Sequence, residues 1–277
     1  MNKKELEATL KFTVKLAQDA GKLLLSYKRE IKNLKVDYKK LEGVFSKADL
    51  ESEKLIIDRI KKKYPGHYIL AEESAFKEFK GEKDGFKKFS NYPYSWIIDP
   101  LDGTSNFLNN FDYFSVCICL AIYGVPTIGV VYRPSNKDLF FAIKGKGATF
   151  QSQGKSIRLP KSSNKKSMKD SLLVTGFSTE KGQVYDEEFS LFKRMSSNSR
   201  GIRRLGSAAL DMCYVANGVF DGFWESGLAP WDVSASGLIC QEAGILVTDY
   251  NGRPFSPFSD NFLAARLPLY NELKAQF

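Results

Sequence analysis

Asp99 and Asp102 stand three residues apart, across Pro100-Leu101, at the end of the apolar run Trp96-Ile97-Ile98. A buried strand leaving the core would deliver both carboxylates to its carboxyl end. Gly103-Thr104-Ser105 follows and reads as a helix entrance, where unpaired backbone N–H groups attract an anion. Acidic metal ligands beside a phosphate seat point to phosphoryl chemistry.

Other acids sit where elements begin or end. Ser46 and Asp49 fit the S-x-x-D capping-box form, so Asp49 either complements a helix dipole or faces a metal site. Glu72 and Glu73 close the strand Tyr68-Ile69-Leu70-Ala71. Strand neighbours face opposite sides, so at most one of the two joins Asp99 and Asp102 unless the strand has already ended. Asp232 opens another helix and carries the same two readings as Asp49. Gly206-Ser207, before a further helix, is either a second anion contact or a plain N-cap.

Asp49, Glu72, Asp99, Asp102 and Asp232 offer oxygen alone. That set suits a hard cation, Mg²⁺ above all, and two or three such ions would stabilise both attacking and leaving oxygens. The chain has a single histidine, His67, which leaves zinc sets and Ser-His-Asp chemistry with little to draw on. Paired carboxylates acting on a glycoside would leave Gly103-Thr104 and Gly206-Ser207 without a role. Phosphate-ester hydrolysis uses all of these parts.

The elements that must position these residues follow from periodicity and punctuation. Leu6, Leu10, Leu16, Ala17, Ala20 and Leu24 predict an amphipathic helix over 4–28. Ile31 to Glu42 is lysine-rich and reads as a mobile connection. Ser46-Lys47-Ala48-Asp49 opens a helix to about Lys63, stopped by Tyr64-Pro65-Gly66. Residues 76–92 read as an exposed loop. Phe114 to Ile122, Thr127 to Tyr132 and Leu139 to Ile143 read as strands joined by turns, which argues for an antiparallel or mixed sheet. Gly145-Lys146-Gly147 is a turn and no phosphate loop, because no helix follows it. Residues 151–170, polar and basic, read as a joint between an N-terminal half, 1–150, and a C-terminal half, 151–277, of one compact unit. Leu172 to Gly176 and Phe220 to Glu225 read as strands, Tyr185 to Met195 as a helix, Gly206 to Leu210 as a strand or loop turning into a helix that ends near Asn217-Gly218, and Leu246 to Thr248 as a closing strand.

Length and charge set the outer limits. At 277 residues with 43% hydrophobic and 26% charged composition, the chain can bury a substantial core. No apolar run approaches ~20 residues, so no membrane span is expected, and no signal-peptide block opens the sequence, which makes the cytoplasm the expectation. Cys117, Cys119, Cys213 and Cys240 sit in apolar segments and lack paired zinc spacing, and Cys117 and Cys119, alternating along a strand-like run, read as small core residues. The net charge of +9 favours anionic partners, phosphorylated metabolites or nucleic acid, although lysines on solvated faces also explain it.

Four segments together carry a resemblance. Asp99-Pro100-Leu101-Asp102-Gly103-Thr104-Ser105-Asn106-Phe107 resembles the D-P-x-D-G-T-x-N-F signature of the inositol monophosphatase family. Trp231-Asp232 through Glu242-Ala243-Gly244 resembles its second signature, W-D-x-x-A…E-A-G. Ala71-Glu72-Glu73-Ser74 is similar to its G-E-E-S, and Ala48-Asp49 to the acid opening its second helix. The order and spacing of all four agree over nearly the whole chain.

The resemblance implies a Mg²⁺-dependent phosphomonoesterase with a layered αβαβα sandwich, a homodimer, sensitive to lithium. Glu72, Asp99, the carbonyl of Leu101, Asp102 and Asp232 would hold metal, with Asp49 beside them. Thr104 paired with Asp49 would activate the attacking water, with Glu72 contributing. Phosphate would rest on Gly103 and Thr104, while Gly206, Ser207, Ala208 and Glu225, with Asp102 and Asp232, would meet the polyol. The implied substrate is a small phosphorylated polyol, myo-inositol 1-phosphate first. Related activities are hydrolysis of fructose 1,6-bisphosphate, histidinol phosphate or 3′-phosphoadenosine 5′-phosphate. Asn106-Phe107 favours the inositol branch over the nucleotide branch, which shows Lys-Glu-Phe there. Ser207 in place of Thr, Asn109-Asn110 in place of His and Arg, Ala229-Pro230 before Trp231, and Ile245 in place of Gly depart from the pattern; none removes a metal ligand. Binding to RNA or the transcription machinery, as in some bacterial relatives, is a second implied role without an RNA-binding motif behind it.

Overall fold

The computed structural model describes residues 1–30, 36–39, 43–79, 84–160, 166–177 and 182–277. Two long sheets organise it. In chain order the N-terminal elements are α1 (Lys3–Lys28), β1 (Val36–Lys39), β2 (Gly43–Ser46), α2 (Lys47–Lys63), β3 (Tyr68–Ala71), α3 (Glu72–Phe79), α4 (Asp84–Lys87), β4 (Ser95–Asp102) and α5 (Thr104–Leu108). Five strands follow, β5 (Ser115–Ile122), β6 (Val125–Arg133), β7 (Asp138–Ile143), β8 (Ala148–Ser152) and β9 (Lys155–Arg158). Strands β3 to β9 form one sheet in sequence order, with β3 parallel to β4 and every other pair antiparallel.

The second sheet contains β10 (Leu172–Thr175), β11 (Gly201–Arg203), β12 (Gly222–Ser226), β13 (Leu246–Thr248) and β14 (Asn261–Ala265), in the order β11-β10-β12-β14-β13. Its helices are α6 (Gln183–Asn198), α7 (Ala208–Asn217), α8 (Pro230–Glu242) and α9 (Leu269–Lys274).

Strand alternation sorts the side chains into three cores, one for each space between layers. Trp96, Ile98, Val116, Ile118, Leu120, Ile128 and Val130 pack outward against Leu16, Ala20 and Leu24 of α1 and Ile56 and Ile60 of α2. Ile97, Cys117, Cys119, Ala121 and Val131, on the opposite face, meet Leu210, Cys213, Leu238 and Cys240 of α7 and α8, which in turn cover Val174, Phe223, Phe262 and Ala264 of the second sheet. Leu173, Trp224, Leu263 and Ala265 face α6 and α9. The stack is therefore αβαβα, as expected. Gly129 is where the inner layer comes closest: a Cβ there would meet Ala235 O at 2.7 Å, so only glycine lets α8 lie on β6.

Several expectations are corrected. Glu72 and Glu73 are not a strand terminus; the strand stops at Ala71 and both acids start α3. Most of 76–92 is helical, through α3, α4 and a 3₁₀ turn over Lys88–Asn91, with Phe86 and Phe89 buried. The polar stretch 151–170 contains the end of β8 and all of β9, whose side chains are exposed and so lack apolar alternation. Of Ile31 to Glu42, Val36–Lys39 pairs with Gly43–Ser46 as a hairpin, and the rest lies outside the described residues, as does 161–165. The seven-stranded sheet ends at Arg158 and the five-stranded one starts at Leu172, so the middle core draws on both sides of the 150/151 division. β14 and α9 had no counterpart among the sequence expectations.

Candidate active site

The site is built at the carboxyl end of β4. The ladder to β5 breaks between Asp99 and Asp102, which lets both acids leave the strand on the same side despite their odd spacing. Asp99 turns back so that the Leu101 N–H donates to its Oδ1 at 2.9 Å. Gly103 then takes a left-handed φ of 89° and starts α5. A Cβ on Gly103 would meet Tyr113 O at 3.0 Å and Gly206 O at 3.2 Å, so the turn is crowded as well as left-handed.

α2 supplies the next acid. The capping box expected from Ser46 and Asp49 is present: Asp49 Oδ2 accepts from Ser46 N at 2.8 Å and from Ser46 Oγ at 2.6 Å. The cap does not exhaust the carboxylate, because Oδ1 accepts from Thr104 Oγ1 at 3.0 Å. Thr104 Oγ1 also lies 3.1 Å from the Leu101 carbonyl. The capping reading of Asp49 therefore holds, and its second oxygen is held by a hydroxyl of another element.

α7 reaches the site from the far half. Ser207 occupies the N-cap position but makes no cap bond; its hydroxyl donates to Asp102 Oδ2 instead, as do Ala209 N at 3.1 Å and Ser115 Oγ at 3.3 Å. Asn106, in the first signature, joins the halves: its Nδ2 donates to Tyr113 O and Leu205 O, both at 2.7 Å, and lies 3.3 Å from Gly206 O. Asp232 caps its own helix, accepting from Ala229 N at 2.7 Å. Glu225, half-buried on β12, rests its carboxylate on Gly176, where a Cβ would meet its Oε1 at 2.1 Å.

The electrostatics of this corner are strained. Burial foremost, then the charges of Glu72, Asp102 and Asp232, raise the Asp99 carboxyl well above the ordinary range. Burial and Glu72 lift Asp49 to about 6 against the Ser46 hydrogen bonds. Burial lifts Asp102 to about 6 against its Ser207, Ala209 and Ser115 donors, with Glu72 adding to the rise. Asp211 and Glu225 are raised by burial and by neighbouring acids. The structure thus places Glu72 within electrostatic reach of Asp49, Asp99 and Asp102, and Asp102 and Asp232 within reach of Asp99, while the charges bearing most on Glu225 are those of Asp211 and Asp102.

Among the described residues, no lysine or arginine forms a salt bridge with Asp49, Asp99 or Asp102. No hydrogen bond there reaches Asp99 Oδ2 or Asp102 Oδ1. No three acid side chains there already surround a common point as a preformed cage. The donor chemistry nevertheless fits Mg²⁺, which keeps several waters and asks the protein for only one or two carboxylates besides substrate phosphate. Buried like charges are what such an ion would offset.

Sequence reasoning missed several residues that hold this corner. Ser52 donates to Pro100 O at 3.0 Å, and Glu53, buried, accepts from Glu73 N at 2.8 Å and Ser74 N at 3.0 Å. Their spacing from Asp49, i+3 and i+4 on one helix face, was the available signal. Tyr113 donates to Asp211 at 2.7 Å beneath α7. The Gly145-Lys146-Gly147 turn grips a carboxylate of the protein itself: both glycine N–H groups donate to Glu242 at 2.6 Å. That ties the C-terminal end of α8 to the first sheet.

A family model described as the inositol monophosphatase family matches residues 5–276. The Nus factor SuhB of Pasteurella multocida is 34% identical over 264 residues, covering 95% of this chain and 93% of the relative. The inositol-1-monophosphatase of a Synechocystis species is 38% identical over 228 residues, covering 82% of this chain and 74% of the relative. Among solved structures, the extragenic suppressor protein suhB of Bartonella henselae superposes with a TM-score of 0.84 at 33% identity, covering 97% of this chain and 98% of that one.

Proposed function

We propose that this chain, which belongs to the inositol monophosphatase family, is a Mg²⁺-dependent phosphomonoesterase acting on a small phosphorylated polyol, with myo-inositol 1-phosphate as the leading substrate. The observation that carries this reading is the Thr104–Asp49 hydrogen bond placed among buried, mutually repelling acids. The inositol-1-monophosphatase relative supports the substrate class.

Glu72, Asp99, the Leu101 carbonyl, Asp102 and Asp232 would hold Mg²⁺, which supplies positive charge for phosphoryl oxygens and acidifies water. Thr104 Oγ1 donates to Asp49 Oδ1, leaving its lone pairs to accept a proton from a water at the phosphate. As that water attacks, Thr104 would take its proton and pass its own along the same contact to Asp49, whose carboxyl burial raises above the ordinary range. Gly103 and Thr104 would present backbone N–H groups to the phosphate. The entrance to α7, Gly206 to Ala208, and Glu225 would orient the hydroxyls of the alcohol, with Asn106 holding Leu205 and Gly206 in register with α5.

The test is a panel of small phosphomonoesters assayed with Mg²⁺ and with chelator: inositol 1-phosphate, fructose 1,6-bisphosphate, histidinol phosphate and 3′-phosphoadenosine 5′-phosphate. Chelator-sensitive release of phosphate, fastest from the inositol ester, is expected. Absence of turnover on every ester would overturn the enzymatic reading.

A second reading, association with the transcription machinery, is favoured by relatives named Nus factor SuhB and by the net charge of +9. A gel-shift series on RNA should show binding that weakens steeply with salt. Absence of any shift at low salt would argue against an RNA contact. No described helix is long and apolar enough to cross a membrane.

A further inference from the structure

We propose that Glu53 is a positioning residue for the candidate metal ligand Glu72, acting through the first turn of α3; the proposal rests on the metal-dependent reading above. Glu72 is the first residue of α3, which has only 8 residues. So short a helix cannot hold its own start by propagation, and its first backbone N–H groups need partners from elsewhere. Glu53 provides them from α2. Its Oε2 accepts from Glu73 N at 2.8 Å, and its Oε1 accepts from Ser74 N at 3.0 Å and from the Ser74 hydroxyl.

The same helix face holds the other two segments of the site. Asp49 binds Thr104 of α5, and Ser52 binds the Pro100 carbonyl between the two β4 acids. Asp49, Ser52 and Glu53 therefore fasten α5, the end of β4 and the start of α3 to one rigid rod. Of the three, Glu53 is the one whose contacts bear on α3, which follows β3, the parallel neighbour of β4, and carries Glu72.

The choice of residue argues for placement over simple capping. Glu53 is 5% exposed, and its charge lies close enough to Glu72 for the two to repel. A neutral hydrogen-bond acceptor would cap α3 without that repulsion. A carboxylate with two oxygens, however, can take three donors at once and so fix both position and direction of the first turn.

The test uses the full chain with Glu53→Gln and Glu53→Ala. Mn²⁺ binding is followed by calorimetry, thermal unfolding is followed without metal, and phosphate release is measured across a Mg²⁺ series. Glu53→Gln is expected to weaken Mn²⁺ binding about tenfold, to keep Tm within about 5 °C, and to keep kcat at saturating Mg²⁺ within about threefold. Glu53→Ala should weaken binding further. Unchanged Mn²⁺ affinity in a folded Glu53→Gln variant would overturn the proposal, with or without a loss of Tm. A parent chain that binds Mn²⁺ but hydrolyses nothing would leave the positioning role to be decided by the same calorimetry. A parent chain that binds no Mn²⁺ would remove the metal-dependent reading and this inference with it.

Discussion

Asp49 and Asp232 occupy the same place in two helices, the third position after the N-cap of α2 and of α8, and both accept the N–H of their own N-cap residue. What surrounds them differs. Asp49 lies on the outer layer and hands its second oxygen to Thr104, a hydroxyl on another element. Asp232 lies on the inner layer, and its charge bears on Asp99. A cap fixes the carboxylate rotamer and uses one oxygen; the neighbouring layer decides what the other oxygen can do. On the proposed reading, the outer acid handles a proton and the inner acid holds charge.

Asp99 and Asp102 belong to both sides of that comparison, so replacing either should have the largest effect. Asp99→Asn and Asp102→Asn should each lower phosphatase kcat by about 10³-fold or more while circular dichroism reports a retained fold. Turnover close to the parent would remove the shared centre on which both helices converge.

The two helices should then separate by kinetics. Asp49→Asn and Thr104→Ala should reduce kcat by about 10²-fold with little change in the Mg²⁺ concentration needed for half-activity. Asp232→Asn should raise that concentration about tenfold or more and change kcat less at saturation. Identical behaviour of the two classes would show that the outer and inner acids share one task.

The smallest effect concerns stability. The folded-state carboxyls of Asp49 and Asp102 stand at about 6, above their unfolded value of 3.8. Folded protein therefore takes up protons before unfolded protein does, and these groups stabilise the metal-free fold as pH falls from about 7 towards 4. The contribution should be on the order of 1–3 kcal/mol, read as the difference between parent and Asp49→Asn in urea titrations with chelator. Added Mg²⁺ should reverse the trend, because a cation favours the ionised acids that low pH removes. A parent-minus-variant difference that does not change with pH would sink the assignment of Asp49 as a buried acid of raised pKa.

α1 was legible from its apolar stripe, and α2 because stripe and cap agree. α2 carries Ile56 and Ile60 inward and starts at Ser46 as read. The acids of the site were legible as ends of strands and starts of helices, and the four signatures put them in order. What was not legible depends on contacts far apart in sequence. Glu53 looks like one acid among several on a charged helix until α3 is laid against it. β9 presents exposed side chains throughout, so nothing in its pattern announces a strand. Ser207 looked like an N-cap because local chemistry favours that use; a buried carboxylate 105 residues earlier in the chain claims its hydroxyl instead.

β14 holds none of the proposed site residues, yet it lies between β12 and β13 and pairs with both. Arg266, immediately after it, is buried and donates to Ala216 O at the end of α7 and to Ala243 O at the end of α8. Those are the tails of the two helices whose heads carry Ser207, Ala208 and Asp232. β13 is thus held in the sheet, and both helices are clamped at their tails, by residues beyond 260. A chain ending before β14 would thus contain every candidate catalytic group and still lack the means to hold them together.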